Sequence, residues 1–360
     1  MGSQNRHWMA YPSQTMDPEA NIEDIIAAQS VISRVMHVYI GILVPVGLLA
    51  GICIVAAFAK VYHVQKKLGK LEIYLLALAI TDITILLFSM TTITRPGYME
   101  ITNLSCGFLA FFFNVSYFNS QYLQVMFIFI FLLNKDVPTN PTMQKIAQSP
   151  LLCVSLTLVV SLCSSLIVVG LLGTVAHLHE PAYCQVDPLN AAQEYDIVKF
   201  CFGFGIPSFI NVVLLVLLCV KLAKIKDFTW SEIHNAARMV LPISIIMFSC
   251  RLFYNIMLLS RTMLKVRKQN GFPRDELLMN IAEIVMFGQS CCTLVVILCI
   301  NKHCRAWVHH MYCYLTQRCR RNEAASTNVT NVVGETGETG NVTTSAHSEN
   351  VPMTAVNVEQ

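Results

Sequence analysis

Residues 74–88 read Tyr74-Leu-Leu-Ala-Leu-Ala-Ile-Thr-Asp82-Ile-Thr-Ile-Leu-Leu-Phe88, a carboxylate inside an apolar run long enough to cross a bilayer. An ionised Asp at membrane depth is expensive, so such a residue faces a bundle interior or a wet cavity and does a job there. Asp82 is therefore the first candidate functional residue. The chain around it has the same solvent: 54% of its 360 residues are hydrophobic and 13% charged, against about a quarter charged in an ordinary soluble domain.

A spanning helix needs about 20 apolar residues. Runs of that kind lie at about 33–61, 69–94, 104–134, 149–175, 197–224, 236–260 and 277–300. They do not alternate polar and apolar residues, which excludes a membrane β-barrel. The expected fold is an all-α integral membrane protein, a seven-transmembrane helix bundle over 33–300. A tail over 1–32 precedes it, with no apolar core of the kind a cleavable signal peptide has. Residues 301–321 mix Trp307, Val308, Met311, Tyr312 and Leu315 with Arg305, His309, His310 and Arg318, the pattern of a short amphipathic eighth helix in the headgroup plane. Residues 322–360 are rich in Ser, Thr, Asn, Gly and Glu, the composition of a disordered tail. Phosphorylation there would add dense negative charge for a basic partner, and a bland solubilising tail is the alternative.

Lys and Arg set the orientation. With the N-terminus outside, 15 basic residues fall in inner connections and 9 outside, with Arg251 left within a helix. The chain is expected to be a multi-pass protein of the plasma membrane, N-terminus extracellular and C-terminus cytoplasmic. The outer set includes Lys199 and a cluster, Arg261, Lys265, Arg267, Lys268 and Arg274; it reads as a funnel for an acidic ligand or as a solvated loop. A net charge of +3 is too small to point to nucleic acid.

Most of the 14 Cys sit in apolar runs as small buried hydrophobes. Cys106 and Cys184 lie in short polar connections on one side and are a disulfide candidate. Cys304, Cys313 and Cys319 are within reach of the bilayer, as palmitoylation candidates or as unmodified buried thiols. Asn103, in Asn-Leu-Ser, is the outer glycosylation candidate. No His pair at metal spacing, GxSxG or Gly-rich phosphate loop appears, so no enzyme, cofactor or metal is expected.

Seven helices, an interfacial eighth and a Ser/Thr tail resemble a G-protein-coupled receptor. The motifs point to a divergent rhodopsin-like (class A) member, of orphan or virus-encoded type. Leu75 to Asp82 resembles the family's LAxxD in helix 2, and Gly51-Ile52-Cys53-Ile54-Val55 its GNxxV in helix 1 with Ile52 for Asn. Pro207 matches the helix 5 proline. Gln289 to Ile297 followed by Asn301 to Arg305 is similar to NSxxNPxxY and NxxFR; Ser290 is retained, while Thr293, Leu294 and Ile297 replace Asn, Pro and Tyr. Phe248 to Tyr254 resembles CWxPY with Arg251 for Trp and Phe253 for Pro. Helix 3 stays in register from Cys106 to Ser120, the position the family uses to hold sodium beside the helix 2 carboxylate. The inner triad Asn134-Lys135-Asp136 comes four residues later than DRY would, and some herpesvirus-encoded receptors likewise carry Lys there.

The resemblance implies an unknown extracellular ligand, a heterotrimeric G protein and arrestin as partners, the lipid bilayer as solvent, and a Cys106–Cys184 bridge. Asp82, Ser120, Ser290 and Thr293 would line an intramembrane polar pocket. Arg251 lies mid-membrane on the interior side and needs an anion. Asp82 and Glu283 are the intramembrane carboxylates available, and the expectation is that Arg251 pairs with Asp82 in the role of sodium; an Arg that snorkels is the alternative. Asn114, Tyr117, Tyr254 and Glu283 are ligand-pocket candidates, Asn114 and Tyr117 from a polar face of helix 3 with Ser116, Asn119, Ser120 and Gln121. Asn134, Lys135 and Asp136 would face the G protein. A constitutively active or non-signalling decoy or scaffold is the runner-up, and a transporter is disfavoured because no internal repeat appears.

Overall fold

A computed structural model describes residues 22–93, 102–133, 149–172, 191–224, 230–267, 273–314 and 316–317. Among them the chain forms helices and no β-strand: α1 (Ile22–Val38), α2 (Val44–Gln65), α3 (Lys70–Ile93), α4 (Asn103–Leu133), α5 (Pro150–Gly170), α6 (Gln193–Phe200), α7 (Ile206–Lys224), α8 (Trp230–Arg267) and α9 (Pro273–Ile300). Short π-helical turns, Tyr39–Leu43 and Cys201–Gly205, join α1 to α2 and α6 to α7. Each precedes a proline, Pro45 or Pro207, whose missing N–H the widened turn accommodates.

Local chemistry explains the ends. Lys66 closes α2 in a left-handed conformation (φ 54°) and donates its N–H to the Tyr62 carbonyl at 2.8 Å. Glu72 reaches back to accept the Gly69 N–H at 2.8 Å, half of a capping box at the start of α3. Pro150 sits in the first turn of α5, where no N–H is needed.

The chain divides into two units, Met1–Val308 and His309–Gln360. In the first, α4 packs against α3, α5 and α7, while α9 packs against α1, α2, α3 and α8. Glycine permits the closest approaches. A Cβ on Gly51 would stand 2.5 Å from Ile83 Cγ1, and one on Gly203 would overlap the Tyr117 ring. Such small-residue contacts are how helices pack when apolar burial alone does not drive them together. In the second unit, residues 309–314 and 316–317 are helical.

Burial departs from that of a soluble protein. Asp82, Asn114, Ser120, Asp196, Lys199, Arg251, Glu283 and Gln289 are buried, whereas Leu151, Leu156, Ile167, Phe209, Val216 and Ile245 are exposed. Apolar surface on this scale, with charged and polar side chains held inside among the apolar core, needs a lipid solvent. Among the described residues, six helices are long and apolar enough to cross a membrane: Ile26–Gln65, Lys70–Met90, Pro150–Gly170, Gln193–Val220, Val240–Arg267 and Leu277–Ile300. These fit a multi-pass membrane protein. α4, at 31 residues, is long enough but stands outside that set; its centre carries Asn114, Ser116, Asn119, Ser120, Gln121 and Gln124.

Candidate functional site: a layered polar interior

The α4 polar residues are not one stripe facing a cavity. Every side chain from 113 to 121 is buried, because neighbours enclose this stretch from several directions. Two of its residues make contacts to other helices that define the interior: Asn119 beside Asp82 of α3, through Thr81, and Tyr117 at Arg251 and Lys199.

Asp82 is fully buried and its Oδ1 accepts a hydrogen bond from Ser290 Oγ at 3.0 Å, joining α3 to α9. One residue before Asp82, Thr81 Oγ1 accepts from Asn119 Nδ2 at 3.0 Å, joining α4 to α3. Asp82 Oδ2, Ser120 Oγ and Thr293 Oγ1 are buried with no protein partner. Buried groups of this kind are normally completed by ordered water.

Arg251, 1% exposed, does not form the expected ion pair: no Asp82 oxygen lies within 4.0 Å of it among the described contacts. Its Nε donates to Gln289 Oε1 at 3.0 Å and its Nη1 to the Tyr117 carbonyl at 2.9 Å. The guanidinium carbon stands 4.4 Å from the Tyr117 ring centroid, a cation–π stack. Two oxygen dipoles and a ring face intercept the charge before it reaches the carboxylate, and a helical carbonyl has a second lone pair to offer. Asn255 Nδ2 donates to the Tyr117 hydroxyl at 3.1 Å and to the Arg251 carbonyl at 2.8 Å. Arg251 therefore fastens α8 to α4 and α9, and its buried position removes the snorkelling alternative. Gln289 is the partner that the sequence did not single out.

Lys199, by sequence one of the outer basic residues, is instead 0% exposed, and its Nζ stands 5.5 Å from the Phe113 ring centroid and 5.7 Å from those of Tyr117, Tyr195 and Tyr254. The ligand-pocket candidates Tyr117 and Tyr254 are thus walls of a filled aromatic layer, their rings 6.1 Å apart and near perpendicular. Phe287 meets Phe113 edge-on at 5.6 Å. Glu283 is buried one turn from Phe287 on the same face of α9. Asn114 is buried in α4 with neither amide atom hydrogen-bonded.

The basic outer cluster is also divided. Lys265 Nζ lies 2.7 Å from Asp196 Oδ2 and donates to the Ala191 carbonyl at 3.3 Å; Thr262 Oγ1 donates to the same carboxylate oxygen at 3.2 Å. Asp196 is fully buried, a further interior carboxylate beyond Asp82 and Glu283. Lys265 is committed to that pair and is not available to steer a ligand, while Arg267 and Arg274 are exposed. Lys268 lies outside the described residues.

At the opposite end, Asn301 Oδ1 accepts the N–H groups of His303 (2.9 Å) and Cys304 (3.2 Å), an N-cap for helical residues 302–308. His303 Nε2 stands 3.1 Å from Glu72 Oε1. Cys304 is fully buried, and burial, with Cys53 and Glu72 nearby, pushes its thiol up to about 12. That environment disfavours the thiolate that acylation requires. Cys313, in the second unit, is part-exposed, with its Sγ 3.8 Å from His309 Nδ1.

Cys106 is the described cysteine that is not a free thiol, and Cys184 lies outside the described residues. So do Asn134, Lys135, Asp136, Cys319 and the tails 1–21 and 322–360. Asn103 opens α4, part-exposed. Among the described residues no group of three His, Cys, Asp or Glu is placed to hold a metal ion. No protein-family model matches the chain, and comparison with curated proteins finds none similar to it.

Proposed function

We propose that this chain is a divergent rhodopsin-like G-protein-coupled receptor. Seven helices, α4 among them, cross the plasma membrane with the N-terminus outside, and residues 301–321 lie along the inner headgroups as an eighth helix. The observation that carries the reading is the 3.0 Å bond from Ser290 to Asp82: two positions matched to the family's motifs in helices 2 and 7 meet in the polar interior. On this reading a Cys106–Cys184 bridge pins the outer end of α4, and Asn103 is glycosylated. An extracellular ligand with unequal affinity for two arrangements of the helices shifts their populations. Asn134, Lys135 and Asp136, the connection from Lys221 to Arg238 and residues 301–321 form the inner contact for a heterotrimeric G protein and arrestin.

Nucleotide exchange on a heterotrimeric G protein, in membranes holding the full chain or its Lys135→Ala form, tests this. Exchange above that of empty membranes, reduced by Lys135→Ala, is expected. Absence of exchange under every ligand condition removes the receptor reading and leaves a non-signalling scaffold or decoy. A constitutive receptor is favoured by one observation: Lys199 and Arg251, both buried, fill the layer where a ligand would sit. Exchange of equal size with and without ligands identifies that case.

A further inference from the structure

We propose that the rings of Phe113, Tyr117, Tyr195 and Tyr254 form a binding site for a primary alkylammonium group, and that the chain fills this site with its own Lys199. The four centroids lie 5.5–5.7 Å from Nζ, within the roughly 6 Å over which a ring face attracts a cation. Aromatic cages of this kind recognise ammonium ligands because the rings present negative faces while offering an apolar wall to the attached carbons. The walls come from three elements: Phe113 and Tyr117 from α4, Tyr254 from α8, and Tyr195 from α6, one turn before Lys199 itself. Lys199, Tyr117, Tyr195 and Tyr254 are each at most 1% exposed, so the ammonium is held away from solvent, where the rings act most strongly. Gly203, against the Tyr117 ring, allows the backbone after α6 close enough for the lysine to reach in.

While Lys199 is present the cage is closed to an external amine, and when the lysine is shortened the cage becomes a vacancy for one. This inference goes beyond the receptor reading and is independent of it, since it concerns occupancy and not signalling.

Lys199→Ala removes three methylenes and the ammonium, a hole matched by n-propylammonium. The test is thermal unfolding of the detergent-solubilised full chain, wild type and Lys199→Ala, with millimolar n-propylammonium chloride or with n-propanol in the same salt. Expected is a lowered Tm for Lys199→Ala, recovered by several degrees with the ammonium but not the alcohol, and no shift in the wild type. Equal shifts with the alcohol, no shift, or the same ammonium shift in the wild type each overturn the proposal. Should Lys199→Ala be recovered unfolded, the yield of monodisperse protein purified in the ammonium against the alcohol makes the same comparison. Equal yields overturn it.

Discussion

Arg251 on α8 is bonded to both α4 and α9, whereas the side chain of Asp82 on α3 is bonded to α9. The Arg251 charge is met by the Gln289 amide oxygen, the Tyr117 carbonyl and the Tyr117 ring, so its coupling should be to Gln289. Arg251→Met and Gln289→Leu, measured singly and together by thermal or denaturant unfolding, should show an interaction energy of about 0.5–3 kcal/mol, whereas Arg251→Met and Asp82→Asn should add to within about 0.5 kcal/mol. Strong coupling to Asp82 instead would restore the direct ion pair. Cysteine chemistry is a second residue-scale matter. With Cys304 buried and its thiol raised to about 12, hydroxylamine-sensitive acyl labelling should survive Cys304→Ser and disappear on replacing Cys313 and Cys319 together. Loss on Cys304→Ser alone would mean that the segment opens to the acylating enzyme.

At the scale of elements, the pairing of α6 with α8 is the contact that the sequence hid. Asp196 sits in the first turn of α6 and Lys265 in the last turn of α8, in stretches rich enough in charge to resemble loops, yet they pair at 2.7 Å with the carboxylate fully buried and the lysine part-buried. The reason is length: α8 spans 38 residues, roughly 57 Å at about 1.5 Å per residue, and continues well past its apolar run. Breaking such a pair from one side leaves a buried charge and should cost about 3–5 kcal/mol, while removing both partners should cost less. Lys265→Met against Asp196→Leu/Lys265→Met in thermal unfolding checks this; equal losses in both forms would show that the pair is not the source. Gly203→Ala should also destabilise, by about 1–3 kcal/mol, through overlap with Tyr117. An unchanged melting temperature would mean that the ring gives way freely. The Asp82–Ser290 link, by contrast, was legible, since each residue stands inside a motif-like run with a fixed place along its helix.

For the whole molecule, the sequence reveals a helical membrane protein through apolar run length alone, and those runs reappear as helices: α3 and α4 lie within a residue of the expected bounds, α5 ends earlier, and α1 and α8 begin or end well beyond theirs. What run length does not encode is which polar residues meet. Lys199 is a single lysine in an eight-residue segment with little apolar character, and only packing against α4 and α8 turns it inward. The same limit applies to α4: its polar centre is enclosed by protein, so low apolarity there does not bar a crossing.

Six crossings would return the C-terminus to the side of the N-terminus, and seven place them on opposite sides. Epitope tags at the two ends, probed by antibody in intact and then permeabilised cells, measure that parity directly. With seven crossings, the N-terminal tag is stained in intact cells and the C-terminal tag only after permeabilisation. Staining of both tags under the same condition would contradict seven crossings.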